Sequence, residues 1–162
     1  MTAKDAIRDC IEMCHMVTEG YFADLSDQDL LLRSVPGTNH IAWQLGHLIS
    51  SDCQMIAGIG QKAPTLPPDF VARHTKETAT SDDPAKFFKK ADYQRLTAEV
   101  KAAKLAALAA TPDADLGKPG PESMREYAPT VGSVLMLLGT HWMMHAGQFV
   151  PIRRKLGKPA MF

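Results

Sequence analysis

The sequence predicts an all-α protein built as a four-helix bundle. Four long segments repeat apolar residues every three or four positions, which is typical of the buried face of a helix. No segment alternates apolar and polar residues as a half-buried strand does, and no internal repeat stands out. The 162 residues suit one domain with one sizeable core, so we expect residues 1–162 to form a single domain.

The first two helices are predicted from their capping residues and from the breaks that follow them. The first spans about residues 2–20, with Thr2 as its N-cap in a capping box. Thr38 or Asn39 caps the second helix, which reaches about Gly60. A proline-bearing loop follows, so the second helix ends there.

The last two helices are separated by a second long loop. The third spans about residues 92–110 and ends before Pro112. The fourth starts near Thr130 and ends at Gly157, a residue type common just after a helix. The loops on both sides of the third helix are long enough for crossover connections, so a simple up-down-up-down order does not follow from the sequence.

Composition and charge exclude several classes of partner. Formal net charge is +0, with 18 basic and 18 acidic residues, so the basic footprint of a nucleic-acid-binding protein is absent. The longest apolar run, residues 134–138, is far too short to cross a membrane. The N-terminus is polar and helical in pattern, unlike a secretory signal, and the three cysteines are an odd number. We therefore expect a cytoplasmic protein with free thiols and no nucleic-acid or membrane partner.

Two histidines lie one turn apart inside the fourth helix. His141 and His145 stand on the same helix face, and that spacing allows two imidazoles to bind one metal ion. Both fall within an apolar stripe formed by Val131, Val134, Leu138, Trp142, Phe149, Ile152 and Leu156. A buried imidazole leaves a costly unpaired nitrogen unless both nitrogens find partners. A shared metal satisfies both histidines, although ordinary hydrogen-bonded core histidines are the alternative.

The second helix carries polar residues on the side away from its apolar stripe: His40, Gln44, His47 and Ser51. Periodicity leaves two interpretations open, because this side either faces water or lines a polar pocket inside the bundle. His15 shares a face with charged residues, so we expect it on the solvated surface. His74 lies in the proline-rich loop without a partner at metal-ligand spacing.

The far face of the fourth helix is apolar or small where a surface helix is usually charged. Its residues are Met136, Gly139, Met143, Gly147 and Val150. A helix that is apolar on nearly all sides is buried on both, which predicts a homodimer through this helix. Cover by the long loops is the alternative.

Two segments resemble the motifs of a known family. Residues 39–48 (Asn-His-Ile-Ala-Trp-Gln-Leu-Gly-His-Leu) and residues 141–148 (His-Trp-Met-Met-His-Ala-Gly-Gln) are similar to the second-helix and fourth-helix motifs of the DinB superfamily, the DinB/YfiT-like metalloenzymes. Residues 153–159 are similar to that family's C-terminal ending. The resemblance implies a bundle in up-down-down-up order that holds a divalent metal through three histidines. Those ligands map onto His47, His141 and His145.

The resemblance also implies a reaction class. Characterised relatives are transferases and isomerases that use thiols such as bacillithiol or mycothiol, so we expect a small-molecule substrate and a metal that activates the thiol. Zinc and nickel are the metals we expect first, although imidazole ligands alone do not identify the ion. The alternative is a metal-stabilised binding or stress-response module without turnover.

Four further residues are candidates for the surroundings of this site. Gln148 lies one turn beyond His145 and either orients a ligand or makes a plain hydrogen bond within the bundle. Trp43 either walls the pocket or packs in the core. His40 and Gln44 complete the set, because they share the polar side of the second helix.

Overall fold

Four long α-helices joined by loops with short 3₁₀ turns make up the protein. The computed structural model describes residues 1–161, and its helices are α1 (Ala3–Ala23), α2 (Ile41–Gly58), α3 (Lys90–Ala110) and α4 (Val131–Lys155). Among these residues there is no β-strand, and one isolated antiparallel bridge joins Pro119 to Thr130. The predicted all-α class and its four helices are confirmed.

Contacts of α1 and α4 show that these two helices run parallel. Near the start of both, Gly139 lies against Cys10 and Ile11. Near the end of both, the Arg153 guanidinium donates to the Tyr21 carbonyl at 2.8 Å. The two helices pack together more extensively than any other pair in the described chain.

The middle helices run in the opposite direction. Early in α2, Gln44 contacts His145 late in α4, so α2 is antiparallel to α4. Early in α3, Lys90 reaches the Ala23 carbonyl at the end of α1, so α3 is antiparallel to α1. The order is therefore up-down-down-up, and the loops on either side of α3 make the long connections.

Helix starts agree with the sequence in α1 and differ in α2. The Thr2 hydroxyl accepts from the Asp5 amide at 3.1 Å and the Asp5 carboxylate accepts from the Thr2 amide, which confirms the capping box. The predicted cap of α2 at Thr38 or Asn39 is wrong. His40 is the N-cap, because its Nδ1 accepts from the backbone amide of Trp43 at 3.0 Å, as an asparagine side-chain oxygen does elsewhere.

His15 lies in the core, so the prediction that it is solvated is wrong. Its side chain is 0% exposed and its ring stacks on Trp142 of α4, with ring centroids 4.3 Å apart. Its Nε2 is 2.8 Å from the Lys104 ammonium of α3. The cause is that α1 packs against α3 and α4 together, so a side chain beside the apolar stripe is also covered.

The apolar far face of α4 is partly covered within the chain. Gly139 is buried against α1, and Met143 and Val150 are half-buried against the core. Packing within the chain therefore covers part of the face that led us to expect a homodimer. Gly147 remains exposed, and the homodimer stays a prediction.

None of the helices in residues 1–161 combines the length and hydropathy needed to cross a bilayer.

Candidate metal centre

Three histidines from two antiparallel helices meet at one point of the bundle. His47 comes from α2, and His141 and His145 come from successive turns of α4. A potential ligand atom from each lies within 4.8 Å of those from the other two. The ring centroids are 4.9 to 5.3 Å apart, and none of the three side chains is exposed. Among the described residues, the structure thus brings together the three histidines that the resemblance indicates.

A glutamine fixes the orientation of His145. The Nδ1 of His145 is 2.8 Å from Oε1 of Gln44. The amide nitrogen of Gln44 donates to the Asn39 carbonyl at 2.7 Å, which identifies Oε1 as the accepting end. Nδ1 of His145 therefore carries the proton, and Nε2 keeps its lone pair free for a metal.

Trp43 lies against His47 one turn along α2. The two rings are stacked and nearly parallel, with an interplanar angle of 3° and centroids 5.2 Å apart. The indole N–H donates to the Thr75 carbonyl at 2.8 Å, which ties α2 to the loop before α3. Trp43 is therefore buried beside the site and limits the ways in which the His47 ring can turn.

His40 has no nitrogen available for a metal. Its Nδ1 accepts from the Trp43 amide, and its Nε2–H donates to the Ser81 carbonyl at 3.1 Å. The ring also packs edge-on against Phe87, with centroids 4.5 Å apart. The role we infer for His40 is to fix the start of α2, about two turns before the ligand His47.

Gln148 of α4 is exposed. In the described chain it is Gln44, and not Gln148, that holds the His145 ring. Sequence spacing favoured Gln148 because it follows His145 on the same helix. The residue that makes the contact comes from α2, and spacing along one helix cannot reveal it.

Burial keeps the three imidazoles neutral. Burial is the main cause that lowers the pKa of His145 to about 3 and the pKa of His141 to about 4, and repulsion from the neighbouring histidines is a smaller part of both shifts. Burial also lowers the pKa of His47. At neutral pH each ring therefore offers an unprotonated nitrogen, which is the form that binds a metal.

The donor set fits a divalent transition metal. Imidazole nitrogens bind zinc at about 2.0–2.1 Å, so two ligands of one ion lie at most about 4.2 Å apart. The separation of at most 4.8 Å seen here needs only a small ring movement to meet that limit. Zinc, nickel, iron and copper all accept imidazole ligands, so the site is suited to the class of ion and does not choose among its members.

A cavity of about 320 Å³ adjoins His47 and His141. Its other walls come from α2, α4 and the loop before α4, and they are Ser51, Gln54, Met55, Met124, Tyr127, Leu137 and Met144. Periodicity left open whether this side of α2 faces water. His40 and Gln44 are buried, His47 and Ser51 are half-buried, and this side of α2 therefore lies inside the bundle and beside the cavity.

A family model describes most of this chain. The model for the DinB superfamily matches residues 11–149. The chain belongs to the DinB superfamily. No curated protein matches this DinB-superfamily chain. A solved structure described as a conserved protein from Enterococcus faecalis has the same fold, with a TM-score of 0.69 and 16% sequence identity. The match covers 98% of this chain and 99% of that chain, and at this identity it shows the fold alone.

This DinB-superfamily protein has a buried ion pair next to the turn of α4 that carries the histidines. The Lys104 ammonium of α3 contacts the Asp52 carboxylate of α2 at 2.5 Å, and both side chains are 0% exposed. The same carboxylate oxygen accepts from the Trp142 indole N–H at 2.7 Å. Trp142 directly follows His141, so the pair anchors the turn of α4 that carries two of the three histidines.

We did not predict this ion pair, although the sequence contains a signal for it. Lys104 lies four residues from both Val100 and Leu108 in the apolar stripe of α3. Asp52 has the same relation to Leu48 and Ile56 in α2. Two opposite charges in the buried stripes of two helices indicate a buried pair, because an isolated buried charge is too costly.

His74 is also buried, and its ring lies on the backbone of α2. Its Nδ1–H donates to the Phe70 carbonyl at 2.7 Å, and its Nε2 accepts from the Tyr93 hydroxyl at 2.7 Å. A side chain at Gly46 would place a Cβ only 2.0 Å from the His74 ring. In this DinB-superfamily chain, the glycine before His47 therefore makes room for the loop that closes this end of the bundle.

Proposed function

We propose that this DinB-superfamily protein is a metal-dependent enzyme that acts on a small molecule at the His47, His141 and His145 site. The reaction class we propose is thiol-dependent group transfer or isomerisation, which the family resemblance implies. One observation carries the proposal: the ligand atoms of three neutral imidazoles lie within 4.8 Å of one another, and two of these histidines, His47 and His141, line a cavity of about 320 Å³. An enzyme needs such access for its substrate, whereas a purely structural metal site is closed.

The residues of this chain have separate roles in the proposed reaction. The three histidines hold the ion, and Gln44 keeps the free nitrogen of His145 turned toward it. A divalent ion bound there supplies a positive charge that favours the thiolate form of a thiol at neutral pH. Gln54 and Ser51 supply the polar groups of the cavity apart from Tyr127 and the histidines, and we propose that they orient the substrate.

Zinc and nickel are the metals that we propose first, since both accept three imidazole ligands. The second candidate, a metal-stabilised binding module without turnover, has the same ligands. The two differ in whether the open cavity beside the histidines supports a reaction.

A thiol-transfer assay tests the proposal. Protein loaded with zinc or with nickel is mixed with a small monothiol and 1-chloro-2,4-dinitrobenzene, and formation of the aryl thioether is followed by absorbance. The sulfur–carbon bond forms as chloride leaves, and the thiol proton passes to solvent. We expect a metal-dependent rate that is lost in His47→Ala and His145→Ala and retained in Met13→Ala, whose side chain is exposed on α1. A metal-loaded protein with no rate above background for this or any other electrophile tried would support the binding module.

We further propose that the protein is a cytoplasmic homodimer that pairs through the exposed part of α4. Gly147 is exposed and Met136, Met143 and Val150 are partly exposed, so the uncharged face of that helix is not fully covered within the chain. Sedimentation velocity over a range of concentrations tests the dimer, and a single monomeric species at all of them would contradict it.

A further inference from the structure

The cavity beside the three histidines is lined by uncharged side chains. Met55, Met124, Leu137 and Met144 supply most of its apolar wall. Its polar groups are the Ser51 hydroxyl, the Gln54 amide, the Tyr127 phenol and the histidines. Within residues 1–161, no lysine, arginine, aspartate or glutamate lines it. The side chains that line the cavity therefore offer no opposite charge to a charged group of a ligand.

Two large side chains at this cavity are left in water. Tyr127 is 65% exposed and Met144 is 61% exposed, whereas Met55 in the same wall is 4% exposed. Methionine adapts its shape to an irregular apolar ligand, and tyrosine offers a flat apolar face with a polar tip. An apolar ligand that entered the cavity would take both surfaces out of water, which favours its binding.

A charged group in the same place has no such gain. It would lose its hydration among thioether and aliphatic groups that offer no opposite charge. The histidine end is different, since a divalent ion held there by three neutral imidazoles would keep its positive charge and would favour an anionic donor atom of the ligand. The two ends of the cavity thus suit two parts of one ligand: a donor atom at the histidines, and the rest of the molecule among the methionines.

From this arrangement we infer that the cavity takes a small molecule whose remainder, beyond the atom that meets the metal, is an uncharged alkyl or aryl group. The inference rests on the proposed function in assigning the donor end of that molecule to the histidines. Thiols with several carboxylates or ammonium groups are disfavoured as ligands that fill this cavity. Met144 and Leu137, both on α4, are the residues that we expect to set this preference.

Two fluorescent naphthalene probes test the inference without requiring a metal. N-phenyl-1-naphthylamine is uncharged, and 8-anilino-1-naphthalenesulfonate has the same ring system with one sulfonate. We expect the metal-free protein to bind the uncharged probe at a single site. The anionic probe should bind with an affinity that is lower by about tenfold or more. The same titrations on zinc-loaded protein then show whether the preference persists with the ion present.

A substitution at the cavity mouth locates the probe. Met144→Glu places a carboxylate in the wall, and its exposed position makes the change compatible with folding. We expect it to weaken binding of the uncharged probe by about tenfold. Met13→Glu is the matched control, because Met13 is 54% exposed on α1 and does not line the cavity. It should leave binding unchanged.

The results separate the two proposals. Equal or tighter binding of the sulfonate probe to the metal-free protein would overturn the inference, and so would binding of the uncharged probe that Met144→Glu does not weaken. Failure of the proposed function has another signature, which is the absence of bound metal or of metal-dependent thiol transfer, and it leaves the probe titrations as they are.

Discussion

At the scale of single residues, the orientation of His145 depends on one hydrogen bond from another helix. The Oε1 of Gln44 accepts a hydrogen bond from Nδ1 of His145, and the Gln44 amide nitrogen donates one to the Asn39 carbonyl. Neither end of the glutamine is free to turn, so the histidine tautomer that leaves Nε2 unprotonated is the one held in place. A metal-binding histidine usually donates its second N–H to an oxygen acceptor, and the Gln44 side chain supplies that acceptor here.

We expect Gln44→Leu to weaken zinc binding by about 10- to 100-fold, because the His145 ring loses the contact that orients it. The measurement is a competition titration against a chromophoric zinc chelator. Gln54→Leu is the control, since Gln54 lines the cavity and is exposed without holding a histidine in the described contacts. An unchanged zinc affinity in Gln44→Leu would show that the hydrogen bond does not tune the site.

Part of the site could be predicted from single residues, and part could not. The spacing of His141 and His145 within an apolar stripe indicates a ligand pair without outside knowledge. His47 lies off the apolar stripe of its helix, and only the family resemblance selects it from the other histidines. The contact of Gln44 with His145 joins positions 101 residues apart, and no local pattern records it.

At the scale of elements, the start of α2 is held from two sides. His40 caps the helix with one nitrogen and binds the Ser81 carbonyl with the other. Thr38, one of the predicted caps, bonds instead to the Val35 carbonyl in the preceding turn. The sequence located this helix start to within two residues. It missed the cap itself because histidine is not among the residues that usually cap helices.

Two glycines of the family-like motifs have opposite roles, and alanine substitution distinguishes them. A Cβ at Gly46 would meet the His74 ring at 2.0 Å, so we expect Gly46→Ala to destabilise the protein by about 1–3 kcal/mol or more. A Cβ at Gly147 on α4 meets nothing within 4 Å, so Gly147→Ala should be neutral or stabilising by up to about 1 kcal/mol. Urea denaturation of both variants beside the wild type measures the difference. A stable Gly46→Ala variant would contradict the close packing of the loop on α2.

At the scale of the whole molecule, one buried ammonium connects the four helices. Lys104 of α3 donates to Asp52 of α2, to His15 of α1 and to the Leu138 carbonyl of α4, at 2.5 to 2.8 Å. All three of its protons are therefore used. The second oxygen of the Asp52 carboxylate, Oδ1, is buried without a hydrogen-bond partner in the described chain. This cluster is a polar core within an apolar one, and removing one member leaves the others uncompensated.

We expect Lys104→Met to destabilise the protein by about 3–5 kcal/mol, because it leaves the Asp52 carboxylate buried without its cation. Combining it with Asp52→Asn should recover part of that loss, since the amide is neutral. Lys101→Met is the control on the same helix. Lys101 is partly exposed and lies 3.9 Å from Glu19, so its loss should cost at most about 1 kcal/mol. The free energies of unfolding are measured in urea. If those of Lys104→Met and Lys101→Met differ by less than about 1 kcal/mol, which is what an exposed ion pair contributes, the buried cluster does not have this role.

Buried neutral histidines predict that the metal-free protein loses stability in acid. Burial lowers the pKa of His15, His40 and His74 from 6.5 to about 4 in each case. Each group therefore contributes stability that is fully present above pH 6.5, its unfolded value, and that is lost as the pH falls toward 4. Over that interval the unfolded chain binds protons that the folded chain does not.

His40→Asn tests this dependence one group at a time. Asparagine can cap α2 without titrating, so the free energy of unfolding should fall less steeply between pH 6 and pH 4.5 than in the wild type. The expected difference in slope is at most about 1.4 kcal/mol per pH unit, which corresponds to one proton. Chemical denaturation in the presence of a chelator provides both curves. Identical slopes would show that His40 does not remain neutral in the folded protein.

If α2 and α4 hold one divalent metal between them, the metal content of the protein will show it. Tag-free protein is loaded with zinc or nickel, passed through gel filtration and analysed by mass spectrometry beside His47→Ala, His145→Ala and the control His40→Asn. We predict about one equivalent of metal in the wild type and in His40→Asn, and its loss in the other two variants. Wild-type protein that retains no metal after loading, or histidine-to-alanine variants that retain as much as the wild type, would show that these histidines do not form a metal site.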